Sequence, residues 1–379
     1  MTRKHFTALF FAASALLSAG TAHAQTDSIQ ANEAQRDSIL DMLPFDVANA
    51  FKPDIDEGKA LDKKRMEKKD YIPEIHGTVR GRYEYCTTLD AHRFQVRNAR
   101  MSITGNIHPI VAYKAEIDFS DKGSIKMLDA YARVFPVKGL AFTIGQMKVP
   151  FSTDNLRSPH TQYFANRSFL VKETAGTRDV GFTASYTLDK KFPFSIVAGI
   201  YNGLGLTQQT TWKKTMCYSA RAVFDPCKYI NFSLNFQSFD PDSVRMNVYD
   251  AGIYSEFYGF HIEAEYLYKT YEKNVFKPSH AFSGFINYDL KLPKVFNKIS
   301  FLARYDMMTD HSHGYNDIEG NYSVDDVARQ RLTAGVTLSL TKPFYADLRI
   351  NYEKYFYNDW ALADDANKDK LVVEMVVRF

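Results

Sequence analysis

The sequence predicts an all-β fold: a sixteen-stranded antiparallel transmembrane β-barrel with short periplasmic turns and an inward-folded third outer loop. Three observations carry that reading. From Ile75 onward the chain alternates apolar and hydrophilic residues with period two, segment after segment. Aromatic residues make up 15% of the chain, with 24 Tyr and 29 Phe against 2 Trp, residue types that suit strands and the two membrane interfaces. The connections are short on one side and long only on the other, as in transmembrane barrels. A soluble β-sandwich has no reason to keep that rule.

Taken in order, residues 1–24 read as a secretory signal peptide. Arg3 and Lys4 precede an apolar run from Phe6 to Ala19, and Ala22, His23 and Ala24 form the small-residue cleavage site. The apolar run is shorter than the ~20 residues that a spanning helix needs. Without Arg3 and Lys4 the chain keeps 45 basic and 44 acidic residues, a balance that predicts no nucleic-acid partner. Residues 25–72 read as a polar periplasmic segment ending near Lys63, Lys64, Arg65, Lys68 and Lys69, with a short helix expected around Asn32 to Leu43, before Pro44. Residues 73–379 are the expected barrel domain. Of the three cysteines, Cys217 and Cys227 fall at opposite ends of one strand. At ~3.3 Å per residue they stand roughly 30 Å apart, too far for a disulfide.

The strands follow from the alternation. Ile230, Phe232, Leu234 and Phe236 oppose Asn231, Ser233, Asn235 and Gln237; Leu348, Ile350 and Tyr352 oppose Asp347, Arg349, Asn351 and Glu353. Sixteen such segments begin near Ile75, Arg93, Ile110, Lys126, Leu140, Asp179, Phe194, Thr215, Tyr229, Val248, Phe260, Ala281, Ile299, Arg331, Phe344 and Leu371. An even number is what a single-chain bacterial barrel requires. The long connections are Lys148 to Arg178, Asn202 to Lys214, Met307 to Gln330 and Phe356 to Lys370. All four fall at the outer end.

A barrel of this size leaves an aqueous channel, so selectivity depends on what narrows it. The loop from Lys148 to Arg178 is the candidate. It lacks periodicity yet carries Phe151, Leu156, Phe164, Phe169 and Leu170, enough apolar surface to pack. Lys148, Arg157, Arg167 and Lys172 on the loop, with Arg97, Arg100 and Arg133 on the strands beside Asp129, are the expected constriction and anion-binding residues. For Arg167 and Arg178 a structural salt bridge fits equally well. Arg97 and Arg100 are divided between lining the pore and neutralising Asp129. The first five strands and the loop lean basic, and strands eleven to sixteen lean acidic, which predicts a transverse field across the pore.

Several blocks resemble the phosphate-selective porin O and P family. They are Phe94, Val96, Arg97, Ala99 and Arg100; Leu128, Asp129, Ala130 and Tyr131; Gly145 through Ser152; Asn166, Arg167 and Ser168; and Arg178 through Gly181. Asn98 departs from the pattern, standing where a second adjacent Arg often does. The terminal Phe379 closes an alternating strand and resembles the last strand of outer-membrane proteins. The resemblance implies a trimeric porin in the bacterial outer membrane, in contact with lipid and lipopolysaccharide, whose third outer loop folds inward and whose pore conducts anions such as phosphate.

The alternatives are a general, sugar or peptide porin, and a structural or receptor barrel with a blocked lumen. Phe151, Tyr163, Phe164 and Tyr201, with Asn202, supply a sugar-stacking track in the first of these. Asp310, His311, His313, Asp317, Glu319, Asp325 and Asp326 gather in one outer loop; a divalent-metal site or a contact with lipopolysaccharide-bridging cations is one reading, but their spacing matches no metal motif, so a solvated loop is the expectation. Gly-x-Ser-x-Gly, His-Glu-x-x-His and phosphate-cradling Gly-rich motifs are missing from the sequence. Neither an enzyme nor a cofactor is expected.

Overall fold

A computed structural model describes residues 60–379, except 173–177, 189–192, 207–208, 228, 241–243, 293–295, 315–323, 325 and 341–344. The expected signal peptide and most of the polar segment lie outside the described residues. The barrel opens with β1 (Glu74–Cys86), β2 (Ala91–His108), β3 (Val111–Asp121), β4 (Ser124–Val137) and β5 (Leu140–Lys148). It continues with β6 (Arg178–Leu188), β7 (Phe194–Tyr201), β8 (Cys217–Cys227), β9 (Ile230–Phe239), β10 (Met246–Phe257) and β11 (Phe260–Tyr271). It closes with β12 (Ser279–Lys291), β13 (Lys298–Met308), β14 (Arg329–Leu340), β15 (Tyr345–Tyr357) and β16 (Lys370–Arg378). Each strand pairs with its sequence neighbours, and β16 returns to β1, so no edge is left to face hydrocarbon without partners.

Closure is local and specific. Nine residue pairs join β1 to β16, from Thr78 opposite Arg378 to Cys86 opposite Lys370. Beyond them Gly77 and Phe379 exchange backbone hydrogen bonds of 2.8 and 3.0 Å. The Phe379 ring lies over Gly77, where an added Cβ would approach it to 2.2 Å, so the terminal aromatic needs a glycine beneath it. Among the described residues, the inner turns after β2, β4 and β10 are as tight as expected. Tyr258 and Gly259 both take positive φ, 48° and 85°, between the paired residues Phe257 and Phe260. That is the two-residue turn whose twist matches an antiparallel hairpin.

Alternation sorts the side chains as the pleat requires. Phe94, Ile144 and Leu234 face outward with 85%, 64% and 65% of their surface exposed, while Arg80, Asn235, Glu265 and Arg349 face the lumen and are buried. Two departures matter for function. The β1–β2 register slips where Arg80 opposes Asn98 but Gly81 opposes Val96, leaving Arg97 as an extra, bulged residue. The bulge lets Val96 face outward and Asn98 inward although both are even-numbered. The second departure is apolar: Val248, Leu267, Ala281 and Met308 occupy lumen-facing positions near the outer ends of β10 to β13, where a water-filled pore would call for polar groups.

The connection after β5 explains that departure. It forms two single turns, α1 (Thr153–Leu156) and α2 (Phe169–Lys172). Phe151, Phe169 and Leu170 from this connection pack with Met147, Tyr201, Val248, Leu267, Ala281, Met308 and Tyr355 in one buried cluster. At about 1.5–3 kcal/mol for each fully buried large apolar side chain, these three contribute about 5–9 kcal/mol to holding the loop.

Candidate pore constriction

Polar contacts add to the apolar cluster, and most come from arginines of the far wall. Arg80 and Arg82 of β1 donate to the Ala165 carbonyl at 2.8 and 2.9 Å. Arg304 of β13 donates to the Asn166 carbonyl at 3.0 Å, Arg331 of β14 to that of Arg167 at 2.8 Å, and Arg349 of β15 to those of Pro159 and His160 at 3.2 and 3.0 Å. Guanidinium groups suit this task because each presents several fixed donors. Their charge is balanced locally. Glu374 meets Arg80, Arg82 and Arg349 at 2.9, 2.7 and 3.3 Å, and Asp306 meets Arg304 and Arg331 at 2.9 and 2.6 Å.

The other anchor is acidic. Arg157 of the loop makes a two-pronged contact with Glu263 of β11, one prong measuring 2.8 Å. His261 Nε2 supports the same carboxylate at 2.9 Å. Glu265 accepts from the Ser152 hydroxyl at 3.1 Å and the Thr153 backbone at 2.7 Å. Burial works against the charge of Arg157, but Glu263 outweighs it and raises the guanidinium above its ordinary value. Arg157, 3% exposed, is thus a strut of the loop.

Between the loop and strands β2 to β6 the side chains are less enclosed. Arg97 pairs with Asp121 at 2.7 Å and keeps 29% of its side chain exposed; Arg100 pairs with Asp118 at 2.9 Å. Asp129 is held by Arg178 at 2.8 Å and Lys114 at 3.2 Å. Asn98 donates to Asp118 at 2.7 Å and accepts from Arg80 at 3.3 Å, so the departure from the family pattern serves as a neutral bridge between two charged groups. Arg133 donates to Thr143 at 2.9 Å and its guanidinium stands over the Tyr131 ring. Lys148 donates to the Leu156 carbonyl at 2.9 Å.

Arg167 faces this flank from the loop, with 22% of its side chain exposed and Asp154 at 3.8 Å. Burial pushes its guanidinium down to about 10; Asp154 pulls the other way, while the like charges of Arg100 and Arg178 add to the push. Asp154 itself resists ionisation through burial, yet Arg167, Arg157 and Arg304 together hold it below its usual 3.8. Positive charge from the loop and from the wall therefore converges here.

The expected constriction residues separate into two sets. Arg97, Arg100, Arg133 and Arg167 border the less enclosed flank, with Lys148 at the loop's root and Asp129 neutralised behind them. Arg157 is buried on the opposite side, and the Lys172 side chain lies outside the described residues. Asp129 is neutralised by Arg178 and Lys114, not by Arg97 or Arg100. The expected acidic far wall is also revised, since Asp306 and Glu374 are each matched by two or three arginines. Phe151 and Tyr201 lie in the main buried cluster and Phe164 in another, with Tyr163 against it, so these rings form no continuous stacking surface. Sequence reading missed Arg80, Arg82 and Arg349 as loop anchors. Their inward parity was visible, but their partners are backbone carbonyls 80 to 190 residues away in sequence, which leave no signal in side-chain identity.

The model of the family described as phosphate-selective porin O and P matches residues 74–244. No curated protein matches the chain. Solved structures similar to it include the outer membrane channel DcaP of Acinetobacter baumannii, 14% identical over 85% of this chain and 100% of that one, with a TM-score of 0.57. Another is an anion-selective porin from Comamonas acidovorans, 11% identical over 81% and 98%, TM-score 0.58. A third is OmpT of Vibrio cholerae, 12% identical over 83% and 99%, TM-score 0.55. Identities this low speak to the fold alone, and the fold they share is the closed barrel described above. The family match runs from β1 to β9 and the chain forms a sixteen-stranded closed barrel throughout, so it is similar to the phosphate-selective porin O and P family and shares the barrel fold of outer-membrane porins.

Proposed function

We propose that this outer-membrane channel for small solutes passes small anions, phosphate among them, by passive diffusion along the flank between the inward loop and strands β2 to β6. One observation carries the reading: the part-exposed Arg97, Arg100, Arg167 and Arg178 on that flank outnumber the part-exposed carboxylates Glu116, Asp121 and Asp154 beside them, while Asp118 and Asp129 are buried with partners. Several guanidinium groups in series attract an anion without trapping it at one site, as conduction requires. The family's name and the anion-selective Comamonas porin point the same way. Assembly as a homotrimer belongs to this proposal, as in the trimer form of Vibrio cholerae OmpT.

The test is a planar-bilayer recording of the purified protein in a potassium chloride gradient, followed by phosphate titration. A reversal potential on the anion side and a chloride current reduced by phosphate are expected. Cation preference contradicts the proposal. The buried cluster of Phe151, Phe169 and Leu170 favours a second reading, a lumen that the loop closes; the absence of any current selects it.

A further inference from the structure

The connection between β13 and β14 was expected to be a solvated loop, yet its described residues converge. His311 and Asp326 exchange backbone hydrogen bonds of 3.0 and 3.2 Å, an isolated bridge that sets the loop's two limbs side by side. His311 Nε2 stands 3.7 Å from Asp326 Oδ2. The His313 ring lies 4.9 Å from that of His311, and one ligand atom from each of the three residues falls within 4.8 Å of the others. We infer that His311, His313 and Asp326 form a binding site for a divalent first-row transition metal such as zinc.

The geometry and the donor set agree. Two ligand atoms each about 2.0–2.1 Å from one tetrahedral zinc stand about 3.3 Å apart, so the His311 to Asp326 separation closes around an ion with a shift of a few tenths of an ångström. His313, half-buried on the same strip, needs a larger rotation of its ring. Two imidazoles and one carboxylate suit zinc, nickel or cobalt; calcium and magnesium favour all-oxygen shells. Three protein ligands leave a position for water.

The surroundings hold the ligands in place. Arg329 grips the Asp326 carboxylate from one edge, with Nη2 at 3.2 Å from Oδ2 and Nη1 against Oδ1. A carboxylate has about four lone-pair directions, so Oδ2 keeps one for a metal while Arg329 fixes the group's orientation. The 311–313 turn is fastened through Ser312, whose carbonyl accepts from Lys269 at 2.8 Å and from the Tyr271 hydroxyl at 3.1 Å, and whose backbone N–H donates to that hydroxyl at 2.9 Å. Lys269 and Arg329 bring positive charge, which tempers affinity. Arg329 also packs over Phe169 of the inward loop, 5.0 Å from its ring centre, so a metal at Asp326 fastens the outer loop directly above the buried cluster.

Titration of the untagged, refolded full-length protein with cobalt chloride, followed by visible absorption and competition with zinc chloride, tests the site. One equivalent of cobalt with the strong bands of low-symmetry four-coordinate ligation, displaced by zinc and untouched by magnesium, is expected. His313→Ala should weaken binding at least about tenfold, given that even outer partners of metal ligands matter by 10–100-fold. Asp326→Asn should weaken it similarly, and His92→Ala should leave it unchanged. Heat-modifiable migration on gels shows that each variant has folded. No cobalt binding by the wild type, or wild-type affinity in both His313→Ala and Asp326→Asn, overturns the assignment.

Discussion

Replacing Arg157 by Met separates the loop's acidic anchor from its other supports. The change removes both prongs of the contact with Glu263, together with guanidinium stacking at 5.0 Å over Tyr163 and 5.6 Å over Phe285. It keeps most of the apolar stem. Removing one partner of a buried ion pair costs about 3–5 kcal/mol, because the remaining charge is stranded. His261 still reaches Glu263 at 2.9 Å, which places the expected loss near 3 kcal/mol. Since 1.4 kcal/mol is a factor of ten, local opening of the loop should rise by about two powers of ten.

Hydrogen exchange on the loop amides reads this directly. The Thr153, Ala165 and Ser168 amides donate to Glu265, Asn351 and Asp154 at 2.7, 2.8 and 2.8 Å, and all three should exchange faster. Open-channel current should rise in parallel. The double variant Arg157→Met, Glu263→Gln leaves no stranded charge and should recover part of the protection. Wild-type exchange at all three amides and unchanged current in the single variant would refute the anchoring role of this pair.

Three further outcomes follow from the same contacts. Phe169→Ala opens a cavity at a side chain with 1% exposure and should loosen the loop by about 3–5 kcal/mol, read as larger current fluctuations and faster exchange over residues 164–171. Glu374→Gln leaves Arg80, Arg82 and Arg349 without their shared carboxylate, so the temperature at which the barrel loses its compact gel mobility should fall by several degrees. Asp154 has a folded pKa depressed below 3.8, so its ionised form stabilises the docked loop above that pH and the contribution is lost as pH falls through the lowered value. Conductance and the protection of the Ser168 amide relative to its intrinsic exchange rate should be flat from pH 8 to 5, with conductance rising and protection falling only in strongly acidic buffer.

The fold was legible because a half-lipid, half-water wall imposes period two on every strand. The sixteen starts read from the alternation fall within two residues of those in the structure, and the side on which long loops occur was equally clear. Arg97 shows where that reasoning stops. A one-residue bulge shifts parity midway through β2, and alternation alone does not place it. The loop's apolar residues announced that it packs, but not against what. Val248, Leu267, Ala281 and Met308 are scattered over four strands and become one surface only when the barrel closes. Arg157 and Arg167 differ for the same reason. Both are loop arginines ten residues apart, but Glu263 on β11 ties Arg157 to the barrel wall, while Arg167 donates to the loop's own Asp154 and Arg157 carbonyls beside Arg100 and Arg178.

Under the proposed function, the loop-to-wall flank, lined by arginines from both sides, sets the channel's charge preference. The most direct measurement is the reversal potential of single channels in a potassium chloride gradient, wild type against the double variant Arg100→Gln, Arg167→Gln. A unit charge about 4 Å from a passing ion in water is worth about 1 kcal/mol, so the anion-to-cation permeability ratio should fall at least about fivefold. An anion-selective wild type whose reversal potential is unmoved by both substitutions would contradict it.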